Sequence, residues 1–393
     1  MTPIEGLRNL EARYAMPTYV RAPVEFVRGE GATLWDSDGK EYLDFFAGLS
    51  VHNAGHCHPA IVAAVQEQAA AFGGSSNLFY SEPGMRLCER LAEGSLGGKV
   101  FLCNSGTEAT ECALKLVRKH AHRRGIERPE VVVLEQGFHG RTLGALAATV
   151  KLAREDLFGP LPAGFVGVPR DDAGALRAAV GPATAAVMVE PIQGEAGIFP
   201  IADAVLEAAR DACDASGALL AFDEVQCGMG RTGSLWAFQQ LSVRPDLLTA
   251  AKALGGGLPV GACVTTPELG DVLEPGDHGS TFAGGPVASS AALAALEVID
   301  EGELLDSVRD LGAELADGLA GIEGIAEVRG RGLMVGATLT DGLDAPEVAG
   351  RCLGAGLVIN VPGPGMLRFL PPLVIQAAHV GMAVETVRDS IGR

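Results

Sequence analysis

Asp246-Leu-Leu-Thr-Ala-Ala-Lys252-Ala-Leu-Gly-Gly-Gly-Leu-Pro-Val-Gly-Ala262 is the stretch on which the reading of this chain turns. A short apolar run ends in one lysine, and that lysine opens a glycine-rich turn. An amine at the end of a buried strand has little water around it. Burial disfavours the ammonium form, lowers the pKa and frees a nucleophile, which is what a Schiff-base lysine needs. A lysine at a strand end is more commonly a solvated surface group. The chain has only six lysines, however, and the other five read differently. Lys40 lies in an Asp-Gly turn, Lys115 and Lys119 stand four apart on an expected helix face, Lys99 opens a strand, and Lys151 falls in a loop or helix start.

The strand before Lys252 belongs to a series. From about Val100 the chain alternates strand, turn and helix, with apolar strands expected at 100–103, 131–134, 165–168, 185–189, 218–222 and 247–250. Helices are expected at 108–122 and 203–216, and 261–265 reads as a further strand. Continuous apolar strands of this type are buried on both faces. The pattern predicts an α/β fold whose large domain holds a mainly parallel, seven-stranded-type sheet with helices on both faces. Ligands of such sheets bind at the carboxyl ends of the strands. Upstream, 17–46 reads as a small antiparallel meander and 60–72 as a helix. Downstream, a helix at 287–300 leads into helices at 303–322 and 345–355, with short strands near Val328 and at 333–338, 358–360 and 366–369. The expected organisation is an N-terminal segment, 1–55, contributing to a small α+β domain, a large domain, 56–286, and a linking helix with the C-terminal small domain, 287–393.

Composition limits the function classes. Hydrophobic residues are 48% of the 393 and charged residues 20%, a globular balance. A net charge of −19 would repel nucleic acid and anionic membranes. Eight scattered cysteines with no CxxC pair point to reduced thiols in a cytoplasmic protein. No signal-peptide pattern opens the chain and no apolar run is long enough to span a bilayer, so no membrane partner is expected.

Other strand ends carry polar groups. Asn104-Ser-Gly-Thr-Glu108 follows a strand and opens a helix, where unpaired N–H groups and the helix dipole make an anion cup; taken alone, an ordinary N-cap is slightly favoured. Asp223-Glu-Val-Gln226 ends a strand with a carboxylate that needs a cation, such as a protonated pyridinium, although a helix cap, a metal ligand or a solvated strand end also fits. Phe138-His-Gly-Arg-Thr142 offers a ring to stack and a guanidinium for a carboxylate, or a plain loop ion pair. Gly228-Met-Gly-Arg-Thr-Gly233 matches GxGxxG but lies far from the first strand and precedes no amphipathic helix. His56-Cys57-His58 lacks a partner pair at ligand spacing, so a structural role is expected and no metal. With Glu190-Pro-Ile-Gln-Gly-Glu195, five strand ends together supply the parts of a pyridoxal-phosphate site.

These residues carry a resemblance. The chain resembles the class III, ω-amino-acid aminotransferases of the fold-type I pyridoxal-phosphate enzymes, nearest the acetylornithine branch. The motifs run in order from Pro17-Thr-Tyr-Val-Arg21 and Gly55-His-Cys-His-Pro59 through Ser76-Asn-Leu-Phe-Tyr-Ser-Glu-Pro83, Gly230-Arg-Thr-Gly233 and Gly279-Ser-Thr-Phe282 to Leu367-Arg-Phe-Leu-Pro-Pro372, with the four strand-end motifs and Ala251-Lys-Ala-Leu-Gly-Gly-Gly257 between. The resemblance implies that Lys252 carries the cofactor and moves the proton, and that Asp223 pairs with the pyridinium nitrogen. Val225 and Phe138 would flank the ring, with His139 beside it and Gln226 near the phenolic oxygen. Ser105, Gly106 and Thr107 would hold the phosphate. Thr281 would reach the phosphate of a neighbouring subunit, implying a homodimer with shared sites, and Ser280 would also bind the cofactor. Arg141, with Tyr19 near it, would bind the α-carboxylate of the donor. Arg368 would bind that of 2-oxoglutarate, with Glu195 as its gate. The implied reaction moves the terminal amine of N2-acetylornithine to 2-oxoglutarate. Other donors of the class are ornithine, succinyl-ornithine, N-succinyl-diaminopimelate, carrier-linked lysine and 4-aminobutyrate, and Arg141 argues against the last. A mutase or non-catalytic relative would need no Arg368 site, and a dinucleotide oxidoreductase would rest on Gly228 to Gly233. The chain departs from the usual pattern at Thr110, Gly74-Ser75 and Ala283-Gly-Gly-Pro286, positions expected not to touch the core roles.

Overall fold

The computed structural model describes residues 3–74, 76–150, 155–300 and 302–392. Ser75 and Lys151, both singled out in the sequence, lie outside the described residues. Phe26–Glu30 (β1), Thr33–Asp36 (β2) and Glu41–Asp44 (β3) form the antiparallel meander. Next come Val100–Cys103 (β4), Glu130–Leu134 (β5), Phe165–Val168 (β6) and Thr184–Val189 (β7), then a short hairpin, Ile192–Gln193 (β8) and Phe199–Pro200 (β9). Leu219–Asp223 (β10), Leu247–Ala250 (β11) and Gly261–Thr265 (β12) follow. The remaining strands are Ile325–Arg331 (β13), Met334–Leu339 (β14), Leu357–Val358 (β15), Asn360–Gly363 (β16) and Met366–Phe369 (β17).

Seven strands build the large sheet in the order β4-β12-β11-β10-β7-β5-β6. Every residue of the inner strands β7, β10 and β11 is buried, as their predominantly apolar sequences require. All neighbours pair in parallel except around β12, which runs against both β11 and β4. The reason lies in the connection. A parallel return needs a crossover of about a dozen residues or more, usually a helix. Between β11 and β12 the chain has only the short 3-10 turn Lys252–Gly255 and the glycines after it, so it must come straight back. Gly261 at the start of β12 therefore sits opposite Cys103 at the end of β4. A Cβ on Gly261 would lie 2.5 Å from the Ser105 carbonyl oxygen, which explains the glycine.

A second sheet has the order β13-β14-β17-β16, and β15 joins the meander in parallel on β3. The helix Pro286–Asp300 packs on the helices Pro59–Ala71 and Glu82–Glu93 through small buried residues, among them Ala291 and Ala295. Residues 17–25, expected to begin the meander, form no strand: Pro17 and Pro23 withhold ladder donors, and most of the segment is exposed. The helices Pro3–Tyr14, Glu82–Glu93 and Ala377–Ile391 add to the expected set. Among the described residues no helix is long and apolar enough to cross a membrane.

One turn departs from ordinary backbone. Ala47, Gly48, Leu49 and Ser50 all have positive φ (45°, 61°, 68° and 69°), a left-handed turn of four residues with a single glycine. Non-glycine residues there cost about 1–2 kcal/mol each.

Candidate active site

β11 delivers Ala251 and then Lys252, whose φ of 48° is again left-handed. Gly256 (φ 58°) and Gly257 (φ 107°) complete the turn. Lys252 lies on the wall of a cavity of about 440 Å³ at the carboxyl ends of β4, β5, β7, β10 and β11. Burial depresses its ammonium pKa and Arg368 adds to this, while Glu195, Glu190 and Asp223 pull the other way.

Asp223, the last residue of β10, is buried in the same cavity. One carboxylate oxygen meets His139 Nδ1 at 2.8 Å, and the other accepts the Val225 N–H at 3.1 Å. Burial alone would strip the proton from His139, but the hydrogen bond and charge of Asp223 outweigh it and raise the His139 pKa. Glu190 follows β7 directly and accepts the Phe138 N–H at 2.8 Å. Burial, aided by Asp223, pushes its carboxyl pKa upward against the opposing pull of His139. Behind this layer Glu224 accepts the N–H groups of Ala237 (2.5 Å) and Phe238 (2.8 Å), while burial raises its pKa to about 8.

At the end of β4, Ser105 caps the 18-residue helix Gly106–Arg123 and accepts the Glu108 N–H at 3.3 Å. Ser105, Gly106 and Thr107 line the cavity. A Cβ on Gly106 would lie 2.8 Å from Val225 Cγ1, so glycine lets Val225 pack closely against the helix start. Thr107 Oγ1 lies 2.9 Å from Thr142 Oγ1. Phe138, Arg141, Val225, Gln226 and Glu195 complete the wall, with the Arg141 guanidinium 5.1 Å from the Phe138 ring.

Arg368, on β17, is buried one layer behind. It donates to Glu195 at 2.8 Å, to the Gly194 carbonyl at 3.0 Å and to Asn360 Oδ1 at 2.7 and 3.0 Å. Gln226 Nε2 also donates to Glu195, at 3.1 Å. Burial would raise the Glu195 pKa, but the charge and hydrogen bond of Arg368 reverse this and hold it below the usual carboxylate range. Glu195 thus stands between Arg368 and the cavity.

Tyr19 and Ser280 lie outside the cavity of this chain, and so does Thr281, whose expected place is the site of a neighbouring subunit. Tyr19 is 72% exposed, and its ring sits against Arg21. Thr281 is exposed and lines a second cavity with Asn77, Phe79, Tyr80 and Phe282. Ser280 accepts the Asn104 side-chain amide at 2.9 Å but does not line the first cavity. Sequence reasoning missed Val51 and Pro259 as cavity residues, and it placed Asn104 and Glu190 in strand-end motifs of the site without giving either a role. Glu190 carried a legible signal, since it follows an apolar strand directly, much as Asp223 closes one. Thr110, which does not line the cavity, donates to the His139 carbonyl at 2.9 Å from behind it. The Gly228 to Gly233 segment opens no long helix; only the short 3-10 turn Ala237–Gln240 follows, which removes the dinucleotide reading.

The donor set fits pyridoxal phosphate. A helix N-terminus with two hydroxyls suits the phosphate, a buried carboxylate suits a pyridinium, and a lysine with a depressed pKa suits the aldehyde. Ser105, Gly106 and Thr107 at that helix start all line the cavity. Relatives agree. The class-III aminotransferase model matches residues 14–391. An acetylornithine aminotransferase of Methanocaldococcus jannaschii is 45% identical over 390 residues, 98% of each chain. The crystal structure of the ornithine aminotransferase from Toxoplasma gondii ME49 superposes with a TM-score of 0.95 at 35% identity, covering 100% of this chain and 95% of that one. An acetylornithine aminotransferase from Elizabethkingia anophelis gives 0.90 at 34% identity, covering 100% and 99%. A lysine at the end of β11, an acid at the end of β10 and a helix-capped anion cup therefore belong to a known framework, and the chain is a member of the class-III aminotransferases, enzymes that depend on pyridoxal phosphate.

Proposed function

We propose that the chain moves the terminal amino group of N2-acetylornithine to 2-oxoglutarate, giving N-acetylglutamate 5-semialdehyde and glutamate, a step of arginine biosynthesis in the cytoplasm. The observation that carries this reading is the unequal state of two arginines. Arg141 faces the cavity, while Arg368 is covered by Glu195. Two substrates that present their carboxylates at different distances from the reacting carbon need two carboxylate sites that do not compete. Arg141 binds the donor's α-carboxylate while Glu195 neutralises Arg368. When 2-oxoglutarate enters, Glu195 swings away and Arg368 takes its α-carboxylate. Val51, Leu258 and Pro259 give the cavity an apolar wall suited to an uncharged acyl tail.

Bound pyridoxal phosphate supplies an aldehyde that takes up the amine and a ring that withdraws electrons from the reacting carbon. The chain does the rest. Lys252 moves the proton at that carbon, and its burial favours the amine form over the ammonium. Asp223, held by His139 and the Val225 N–H, keeps a positive charge on the ring nitrogen. Ser105, Gly106 and Thr107 hold the phosphate, and Phe138 and Val225 flank the ring. The same reading assigns 56–286 to the cofactor-bearing body, and 1–55 with 287–393 to the smaller body carrying Arg368. It also makes the protein a homodimer in which Ser280 and Thr281 serve the neighbouring site and Tyr19 closes on Arg141.

The test is the visible spectrum of the holoenzyme. N2-acetylornithine should bleach the cofactor band and 2-oxoglutarate should restore it. A band that answers to ornithine or 4-aminobutyrate and ignores N2-acetylornithine overturns the donor. Bleaching that 2-oxoglutarate does not reverse overturns the acceptor.

A further inference from the structure

Arg231 is fully buried, and every acceptor around its guanidinium is uncharged. Nε donates to Ser50 Oγ at 2.9 Å and Nη2 to Asn53 Oδ1 at 2.5 Å. Nη1 donates to the Leu333 and Pro371 carbonyls at 3.0 and 2.5 Å. Burial lowers its pKa to about 9, with Asp44 the charge that opposes the fall. A buried guanidinium without a bonded carboxylate is costly, so its position calls for an explanation.

Its two side-chain acceptors belong to the left-handed turn Ala47–Ser50 and the residues just after it. The turn is pinned at both ends. Asp44 Oδ1 accepts the N–H groups of Phe46 and Ala47 at 2.8 and 2.9 Å. At the far end Ser50 Oγ lies 3.1 Å from Asn53 Oδ1 and 3.2 Å from the Gln226 carbonyl, and Asn53 Nδ2 donates to the Met229 carbonyl at 2.7 Å. Consecutive left-handed residues, most of them not glycine, persist only where the surroundings over-determine them. The turn leads directly into the site. Val51 lines the cavity, and His52 packs so close to Gly257, another lining residue, that a Cβ there would lie 3.0 Å from His52 Cε1.

We propose that Arg231 is a positioning residue whose guanidinium clamps the strained turn Ala47–Ser50, so that Val51 and, through His52, Gly257 form the wall against which the amino donor packs. The inference rests on the cavity being the active site proposed above, but not on which ω-amino donor is physiological. It gives the Gly230-Arg-Thr-Gly233 motif a role, since the arginine reaches across to residues about 180 positions earlier in the chain.

Ser50 provides the test, because glycine and alanine both remove the hydroxyl but only glycine adopts positive φ without strain. Ser50→Ala and Ser50→Gly holoenzymes are compared with wild type for the visible cofactor band, melting temperature, kcat and KM. The donor is N2-acetylornithine or, if wild type ignores it, whichever of ornithine, succinyl-ornithine or 4-aminobutyrate wild type uses best. Failure of the donor assignment is thus visible in wild type alone. We expect Ser50→Ala to raise the donor KM about tenfold with kcat within about threefold, and Ser50→Gly to recover most of that loss, with the cofactor band unchanged in both. Arg231→Lys, which reaches fewer acceptors, should show the same split; if it does not fold, the Ser50 pair decides alone. Equal KM increases in the two Ser50 variants, a wild-type KM in Ser50→Ala, or a loss confined to kcat and the cofactor band would each overturn the proposal.

Discussion

Lys252 combines two properties that a solvated lysine lacks. Its backbone is left-handed at φ 48°, and burial holds its ammonium pKa down. The strain points the side chain into the cavity and the depressed pKa keeps it reactive, so Lys252→Ala should lose turnover by more than about a thousandfold while keeping its melting temperature within a few degrees. Single-turnover bleaching of the cofactor band reads this directly. Arg368 is the opposite case, a cation already satisfied by Glu195 and Asn360. Arg368→Ala should raise the 2-oxoglutarate KM by about 10- to 100-fold, the range for one charge-assisted carboxylate contact. Its first half-reaction with N2-acetylornithine should change far less. Equal losses in both half-reactions would show that Arg368 is not reserved for the acceptor.

The loop after β10 is the element that holds these residues in register. Glu224 stitches its far end back through the N–H groups of Ala237 and Phe238. In Glu224→Gln one of those donors faces an amide NH2, which should cost about 1–3 kcal/mol of stability. The wild-type carboxyl also gives a pH dependence. Its folded pKa is raised from the ordinary 4.5 to about 8, so between these values the native state binds more protons than the unfolded chain. Stability contributed by this group is therefore full below about 4.5 and lost as pH rises through about 8. Melting curves across this window should show that slope in wild type and a flatter one in Glu224→Gln. Elements like β6, β11 and β12 lie on their expected bounds because each is a short, mostly apolar run flanked by turn residues. The direction of β12 was not legible, because pairing sense is set by the length of the connection and not by strand composition. The site divides in the same way. Asp223, Lys252 and the Ser105 cup were legible as polar groups ending apolar runs. Thr110, Glu224 and Arg231 were not, since each acts on a partner remote in sequence or on backbone groups, which no local pattern marks.

At the scale of the molecule, large exposed apolar side chains collect on one surface. Leu78, Phe79, Tyr80 and Phe282 border the second cavity with Thr281, and Tyr80 and Phe282 are 94% and 81% exposed. An acidic chain of net charge −19 has little reason to leave such side chains in water. The homodimer proposed above would cover them and bring Thr281 to the phosphate end of the partner's cavity. Mixing two inactive variants separates this from a role within one chain. Lys252→Ala lacks the carrier lysine. Thr281→Asp places a carboxylate where a phosphate should bind, and like-charge repulsion should silence it. If Thr281 works across the dimer, the Thr281→Asp subunit in a mixed dimer keeps its own Lys252 and borrows an intact Thr281 from the other chain. One complete site then forms in each mixed dimer, and random reassociation should restore about a quarter of wild-type activity. If Thr281 works within its own chain, neither subunit of the mixed dimer holds a complete site and the mixture stays silent. Sedimentation of wild type beside Phe79→Asp and Phe282→Asp then tells whether the apolar face holds the copies together: the charged variants should run as monomers and lose the cofactor band at concentrations where wild type keeps both dimer and band.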